Sequence, residues 1–319
     1  MMRNNIWIIG SGAIALEYAK VLEALSLEYI VIGRSKRSAE IFRSKICHDV
    51  IEGGIENFLL TKPEIPKKVI VSVGLEELSN VTHLLIEFGA KSILVEKPGF
   101  CYPEELAVVK AAADRECSQV YLAYNRRFYS SVLKAEEMIK EDGGIVSFNF
   151  EFTEWSHKID TMQKSGNMLH NWFYANSTHV LDLAFFLGGK PKEMSCYSFG
   201  KLDWHQPSRY SGAGVTRNNV LFSYQATWDA PGRWALEVLT RQHRLYFKPM
   251  ESLLVQELGS IEIKKMDVDN DLDIDFKPGF YLQTKNFLDN KFGRFCTLAE
   301  QIESVDHTYK KMRFPDLSS

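Results

Sequence analysis

The sequence predicts an α/β fold in two parts: a doubly wound parallel sheet first, then an α+β domain with a large open, mostly antiparallel sheet. Two observations predict it. Over residues 6–123, short aliphatic and β-branched runs alternate with helical patterns, the rhythm of parallel strands joined by crossover helices. From Ile145 the apolar period becomes two, as in strands with one face on a core and one in water. A chain of 319 residues also suits two cores better than one. We place the first domain at 1–123 and the second at 124–319.

The elements follow in order. Ile6, Trp7, Ile8 and Ile9 read as a strand buried on both faces. Residues 13–25 read as a helix, and 29–32, 69–73, 93–95 and 120–123 as further strands. Residues 81–88 and 103–115 supply helices between them, with Pro103 suited to a first turn. In the second part Phe148, Phe150 and Phe152 point one way while Ser147, Asn149 and Glu151 point the other. Residues 220–228 and 234–238 repeat that alternation. Residues 176–187 form a helix, and Leu298, Ile302, Val305, Tyr309 and Met312 make an apolar stripe at helical spacing.

Composition narrows the function classes. The formal net charge is -3 and basic residues are scattered, so neither nucleic acid nor a membrane surface is an expected partner. The five cysteines are far apart and form no C-x-x-C pair, which argues against a disulfide framework and a zinc site. His157, His170 and His179 lack partners at ligand spacing, so no metal is expected. The apolar run at 6–9 is too short for a signal peptide, and the cytoplasm is the expected compartment.

Gly10, Ser11, Gly12, Ala13, Ile14 and Ala15 match G-x-G-x-x-A between the first strand and first helix. Gly10 permits the tight turn, Gly12 lets a pyrophosphate approach the backbone, and Ala15 permits close helix packing. The helix N-terminus adds unpaired N–H groups and positive potential. The expected ligand is a dinucleotide. An acidic residue about 20 positions on would bind a ribose 2′-hydroxyl. The second strand instead ends in Gly33, Arg34, Ser35, Lys36 and Arg37. Arg34 and Arg37 suit a 2′-phosphate and Ser35 can donate to it, so NADP is expected over NAD. Val73 and Gly74, after the strand at 69–73, complete the expected cofactor contacts.

Glu96, Lys97 and Pro98 close the strand at 93–95. Ligands of open α/β sheets bind at such carboxyl ends, which puts Glu96 and Lys97 near the cofactor. Desolvation and a cationic ring nearby would favour the neutral amine of Lys97, fit to exchange a proton with a hydroxyl. Asn176 or Ser177 is a plausible N-cap, placing His179 in a first turn where the dipole favours neutral imidazole. Asp182, one turn on, suits orienting it or pairing with other first-turn groups. Asn125 and Arg126 lie at the expected domain junction, where Arg126 suits a carboxylate or phosphate or else a structural ion pair. Trp155 and Trp172 suit the apolar face of a sugar, or interior packing.

These pieces, together with Tyr124, Asn125, Arg126, Arg127 and Phe128 and the segment 176–189, resemble the Gfo/Idh/MocA oxidoreductases in order and separation. The resemblance covers most of the first 190 residues. It implies an N-terminal Rossmann domain and a C-terminal open sheet used for oligomerisation, hence a homodimer or homotetramer. It implies that Lys97 is the catalytic lysine, followed by a cis Pro98, and that His179 contacts the substrate and aids its proton transfer. The implied substrate is a sugar, sugar acid or nucleotide sugar. One departure stands out. Many members carry an aspartate four residues before the histidine; here Ala175 takes that place, with Asn176 beside it. The run 175–183 also looks like a subgroup associated with surface-polysaccharide synthesis. The rival expectations are a non-catalytic NADP-sensing protein of the same fold, and a lyase or hydrolase that uses a retained cofactor transiently.

Overall fold

The computed structural model describes residues 6–315, which divide into two compact units, 6–125 with 272–302 and 126–271 with 303–315. In the first unit β1 (Ile6–Ile9), β2 (Ile30–Ile32), β3 (Val50–Ile51), β4 (Lys68–Val71), β5 (Ser92–Glu96) and β6 (Gln119–Ala123) form one parallel sheet. Their spatial order is 3-2-1-4-5-6, the doubly wound arrangement in which the order reverses at β1 and β4. The β1 residues are all at most 7% exposed, as expected of a strand covered on both faces.

The strand Cys296–Thr297 adds an antiparallel edge beside β6. It belongs to the segment 272–302, which the sequence expectation kept with the second domain. Three contacts explain its return to the first. Helix Phe280–Leu288 packs on helix Ala13–Ala24, with the Tyr18 and Phe280 rings 5.0 Å apart. Lys68 Nζ donates to Asn290 Oδ1 at 2.8 Å. Gln301 Nε2 donates to the Pro98 carbonyl at 3.0 Å.

The second unit is built on β7 (Ser147–Glu151), β8 (Pro191–Phe199), β9 (Arg209–Thr216), β10 (Leu221–Thr227), β11 (Ala235–Leu239), β12 (His243–Phe247), β13 (Leu254–Glu257) and β14 (Lys264–Lys265). They form one sheet in the order 14-13-12-11-7-10-9-8, antiparallel throughout except for the β7–β10 pair. Its inner face carries Phe148, Phe150, Phe222 and Tyr224, covered by helix Thr178–Gly188. Phe185 of that helix meets Phe148, Phe150 and Phe222 edge to face, and a Cβ on Gly188 would overlap the Phe148 ring. The opposite face is polar along β7, β11 and β12, where Glu237 accepts from Asn149 and Arg244. Along β8 and β10 it leaves Tyr197, Phe199 and Leu221 63–79% exposed.

The helix expected at 176–187 begins differently. A π-helical run, Phe173–Ser177, leads directly into it. Ser177 is in the αR region and caps nothing with its side chain. His179 therefore does not sit in the first turn of an isolated helix, and the dipole argument for its neutrality loses its basis. π-helical turns gather at functional sites, because the extra residue re-aims the side chains around it. Among the described residues no helix is long and apolar enough to cross a membrane.

Candidate functional site

In the first unit the carboxyl ends of β1, β2 and β4 open into a cavity of about 340 Å3. Its floor is the expected glycine turn. Gly10 has φ +115°, and a Cβ there would lie 2.6 Å from the Ser72 carbonyl oxygen, so only glycine fits. Gly12 precedes helix Ala13–Ala24 and has open space where its Cβ would be. Ala15 is fully buried against the sheet. The room above Gly12 and the helix N-terminus behind it fit a pyrophosphate. Gly10, Ser11, Gly12, Arg34, Ser35, Val73 and Gly74 all line the cavity. Ala13 and Ile14 form the first helical turn behind it. Gly33 lies under Ser11, whose Oγ a Cβ would strike.

The basic stretch after β2 is not a loop throughout. Helix Lys36–Ile46 starts there, capped by Ser35 Oγ, which accepts from the Ser38 N–H at 3.2 Å. Ser11, Ser38 and Ser35 hydroxyls form a chain with 2.8 Å links. Arg34 Nη1 meets Glu77 Oε1 at 3.0 Å, and Glu77 also lines the cavity. Arg37 is exposed on the helix and does not line it. Ser38 and Glu77 were invisible to sequence reasoning, since neither falls within the motif that pointed to the cofactor.

The Glu96-Lys97-Pro98 turn ends β5, and the Lys97–Pro98 peptide is cis. Glu96 accepts a 2.6 Å hydrogen bond from the Tyr18 hydroxyl, which in turn accepts from Gln283 Nε2 at 3.1 Å. Burial raises the Glu96 carboxyl above the usual range, against the opposing pull of Tyr18 and Lys97. Glu96 is thus a support for the turn rather than a wall of the cavity. Asn125 is likewise committed: its amide donates to the Pro278 carbonyl at 2.9 Å inside the first unit.

The second unit gathers the remaining residues around a carboxylate that the sequence did not single out. Glu154 lies just beyond β7 and is 1% exposed. Asn176 Nδ2 donates to both its oxygens at 3.0–3.1 Å, Ser177 Oγ donates at 2.8 Å, and Arg233 Nη1 stands 3.8 Å away. Burial raises this carboxyl too, with Ser177 and Arg233 acting against it. Asn176 therefore turns its amide nitrogen inward to Glu154 rather than capping a helix. A signal was available. Glu154 shares the inward parity of Phe148, Phe150 and Phe152, and an acidic residue at an inward position needs a polar reason.

His179 lies 6.0 Å from the Trp234 ring. Arg126 and Arg233 stack on the same indole at 4.8 and 4.4 Å. Trp155 is 38% exposed, carries Arg233 and Lys158 over its ring, and donates to the Gly232 carbonyl. Trp172 is buried edge to face against Trp204, in the interior alternative of the sequence reading. Asp182 gives its carboxylate to Arg127 in a two-point pair at 2.9 and 2.6 Å. Among the described residues no group of His, Cys, Asp and Glu is arranged to hold a metal ion.

No family model matches the chain, and no curated protein matches it in sequence. Solved structures do match in three dimensions. Levoglucosan dehydrogenase in complex with NADH superposes at TM-score 0.78 and 14% identity, covering 97% of this chain and 96% of that one. The dehydrogenase MviM from Clostridium difficile gives 0.76 and 17%, covering 97% and 98%. UDP-N-acetylglucosamine 3-dehydrogenase GnnA from Acidithiobacillus ferrooxidans gives 0.70 and 14%, covering 98% and 97%. At such identity the likeness establishes the fold. The chain has the two-domain fold of nicotinamide-dependent oxidoreductases. It is the fold that the resemblance to the Gfo/Idh/MocA family implied.

Proposed function

We propose that the chain is a Gfo/Idh/MocA-type oxidoreductase that uses NADP to move a hydride to or from a hydroxyl or keto carbon of a sugar or sugar derivative. The cavity over Gly10–Gly12 at the carboxyl ends of the strands is the observation that carries this reading. The nicotinamide, when bound, accepts or donates the hydride. The chain's own residues do the rest. The Gly12 turn holds the pyrophosphate, Lys97 exchanges the hydroxyl proton, and His179 orients that hydroxyl. Solved neighbours act on levoglucosan and on a UDP-linked sugar, which supports a sugar substrate. A role in surface-polysaccharide synthesis agrees with the latter class.

The NADP preference rests on Arg34 and on the serine chain beside it. The Arg34–Glu77 pair is solvent-exposed on the arginine side, 70% against 32%, and such pairs contribute little. Arg34 can therefore leave Glu77 for a 2′-phosphate at small cost. Glu77 itself repels that phosphate. We expect Arg34→Ala to weaken NADPH binding about tenfold while leaving NADH nearly unchanged, since a charge-assisted bond contributes about 1.5–3 kcal/mol. Glu77→Gln should strengthen NADPH binding by roughly threefold, the effect of removing one like charge in a screened site. Nicotinamide fluorescence titrations measure both. Equal losses for the two cofactors in Arg34→Ala would assign the site to NAD instead. Solved neighbours are described both in complex with NADH and as NADPH-dependent, so the preference has to come from these residues.

We further infer that two or more copies associate through the open sheet face of the second unit. Tyr197, Phe199 and Leu221 are large exposed apolar groups on the β8 and β10 part of that face, a patch that a contact between copies would cover. Light scattering should report a dimer or tetramer. Introducing charge with Phe199→Glu should shift it toward monomer, and a wild-type monomer at micromolar concentration would end this reading.

A further inference from the structure

Arg126 presents an unusual balance of charge. Its Nε is shut off from solvent and has no hydrogen-bond partner. Its interactions are with rings: the guanidinium carbon lies 4.8 Å from the Trp234 centroid and 5.8 Å from that of Tyr129. No carboxylate of the described residues stands within ion-pair distance of it. The carboxylates that face it are Glu154 and the exposed Glu251, and both act only from a distance. Glu154 is already engaged by Asn176, Ser177 and Arg233. The cluster thus holds two guanidiniums against one committed carboxylate. The Trp234 indole N–H is also buried without an acceptor, on a residue 6% exposed.

A guanidinium N–H shut off from water without an acceptor is costly, and folded chains keep such a group where a ligand completes the pairing. Burial pulls the Arg126 guanidinium below the ordinary arginine range, as its desolvated setting requires. A planar guanidinium stacked on an indole keeps its N–H edge free for a two-point contact with a carboxylate or phosphate. The neighbouring Trp234 ring also meets His179, so the missing anion falls beside the residue read as contacting the substrate.

We propose that Arg126, together with Arg233 and the Trp234 indole, forms a subsite for an oxyanion carried by the substrate: the carboxylate of a sugar acid or the phosphate of a sugar nucleotide. This deepens the oxidoreductase reading and rests on it for the word substrate.

The test compares four probes on the NADPH-loaded protein: D-glucose, D-glucuronate, UDP-glucose and UDP-glucuronate. At least one anionic probe should bind tenfold or more tightly than glucose. Preference for glucuronate identifies the carboxylate, and preference for UDP-glucose the phosphate. Arg126→Met should erase the preference. Without ligand, the same variant should melt at or above the wild-type temperature, because an orphaned buried N–H is replaced by an apolar chain between two rings. An arginine kept for structure would instead make Arg126→Met melt lower. The assignment is overturned if no anionic probe outbinds glucose, or if Arg126→Met keeps the preference. The two readings fail separately. An Arg126-dependent anion preference without hydride transfer to any sugar removes the oxidoreductase and keeps the subsite. Transfer to a neutral sugar that survives in Arg126→Met does the reverse.

Discussion

Replacing Lys97 with Ala is expected to slow hydride transfer by about 10²–10⁴-fold while leaving NADPH affinity within about threefold, the range typical of losing a positioned acid or base. The reason is local. Lys97 follows the last residue of β5, at the carboxyl edge of the parallel sheet where ligands of such sheets bind. Its turn is held from behind. Glu96 is fixed by Tyr18, and the Pro98 carbonyl by Gln301 Nε2, which also donates to the Tyr124 hydroxyl at 3.0 Å. The backbone should therefore keep its course when the side chain is shortened. Two further measurements separate proton transfer from structure. A small primary amine in the buffer should restore part of the Lys97→Ala rate. Lys97→Arg should stay slow, since a guanidinium does not release its proton near neutral pH. Transfer within threefold of wild type in Lys97→Ala would remove the lysine from the mechanism and favour a protein that only senses the dinucleotide.

The sequence carried the first sheet well because its central strands are covered on both faces. Such strands read as unbroken apolar runs, and β1, β2, β4, β5 and β6 fall where those runs do. The two-residue β3 has no run to read. Helix Lys36–Ile46 buries only Ala39 and Phe42, too few apolar positions to show a period behind four basic residues. The return of 272–302 to the first unit was hidden for another reason. Period says that a helix has an apolar face; it does not say which core takes it. The same limit governed the candidate site. The glycine turn was legible because its chemistry is a backbone property at fixed spacing. Glu77, Ser38 and Glu154 acquire their settings from tertiary position, and of these only Glu154 left a trace, as a charge that continues the inward parity of β7 just beyond its end.

Adjacent residues in the Tyr124–Phe128 segment meet opposite fates, and this yields the second large effect. Arg127 and Asp182 are each about 4% exposed on their side chains, joined at two points, with the guanidinium also over Phe186 at 4.6 Å. Arg126, next to it, is half-buried, and its Nε is shut off from water without a hydrogen-bond partner. Removing one member of a satisfied buried pair strands the other charge and costs about 3–5 kcal/mol. Asp182→Asn keeps the shape and removes the charge, so it should lower the unfolding free energy by about that amount in urea. The double variant Arg127→Met with Asp182→Leu should recover much of the loss, because neither charge is then left alone. Asp182 lies one turn from His179 on helix Thr178–Gly188, so the pair also fixes how that helix presents the histidine. A loss under about 1 kcal/mol in Asp182→Asn would mean that the pair is hydrated and exchangeable, as surface pairs are. The contrast with Arg126→Met is the sharper outcome. Two neighbouring arginines with similar rings around them should respond to charge removal with opposite signs, and the difference lies in whether the protein itself supplies the anion.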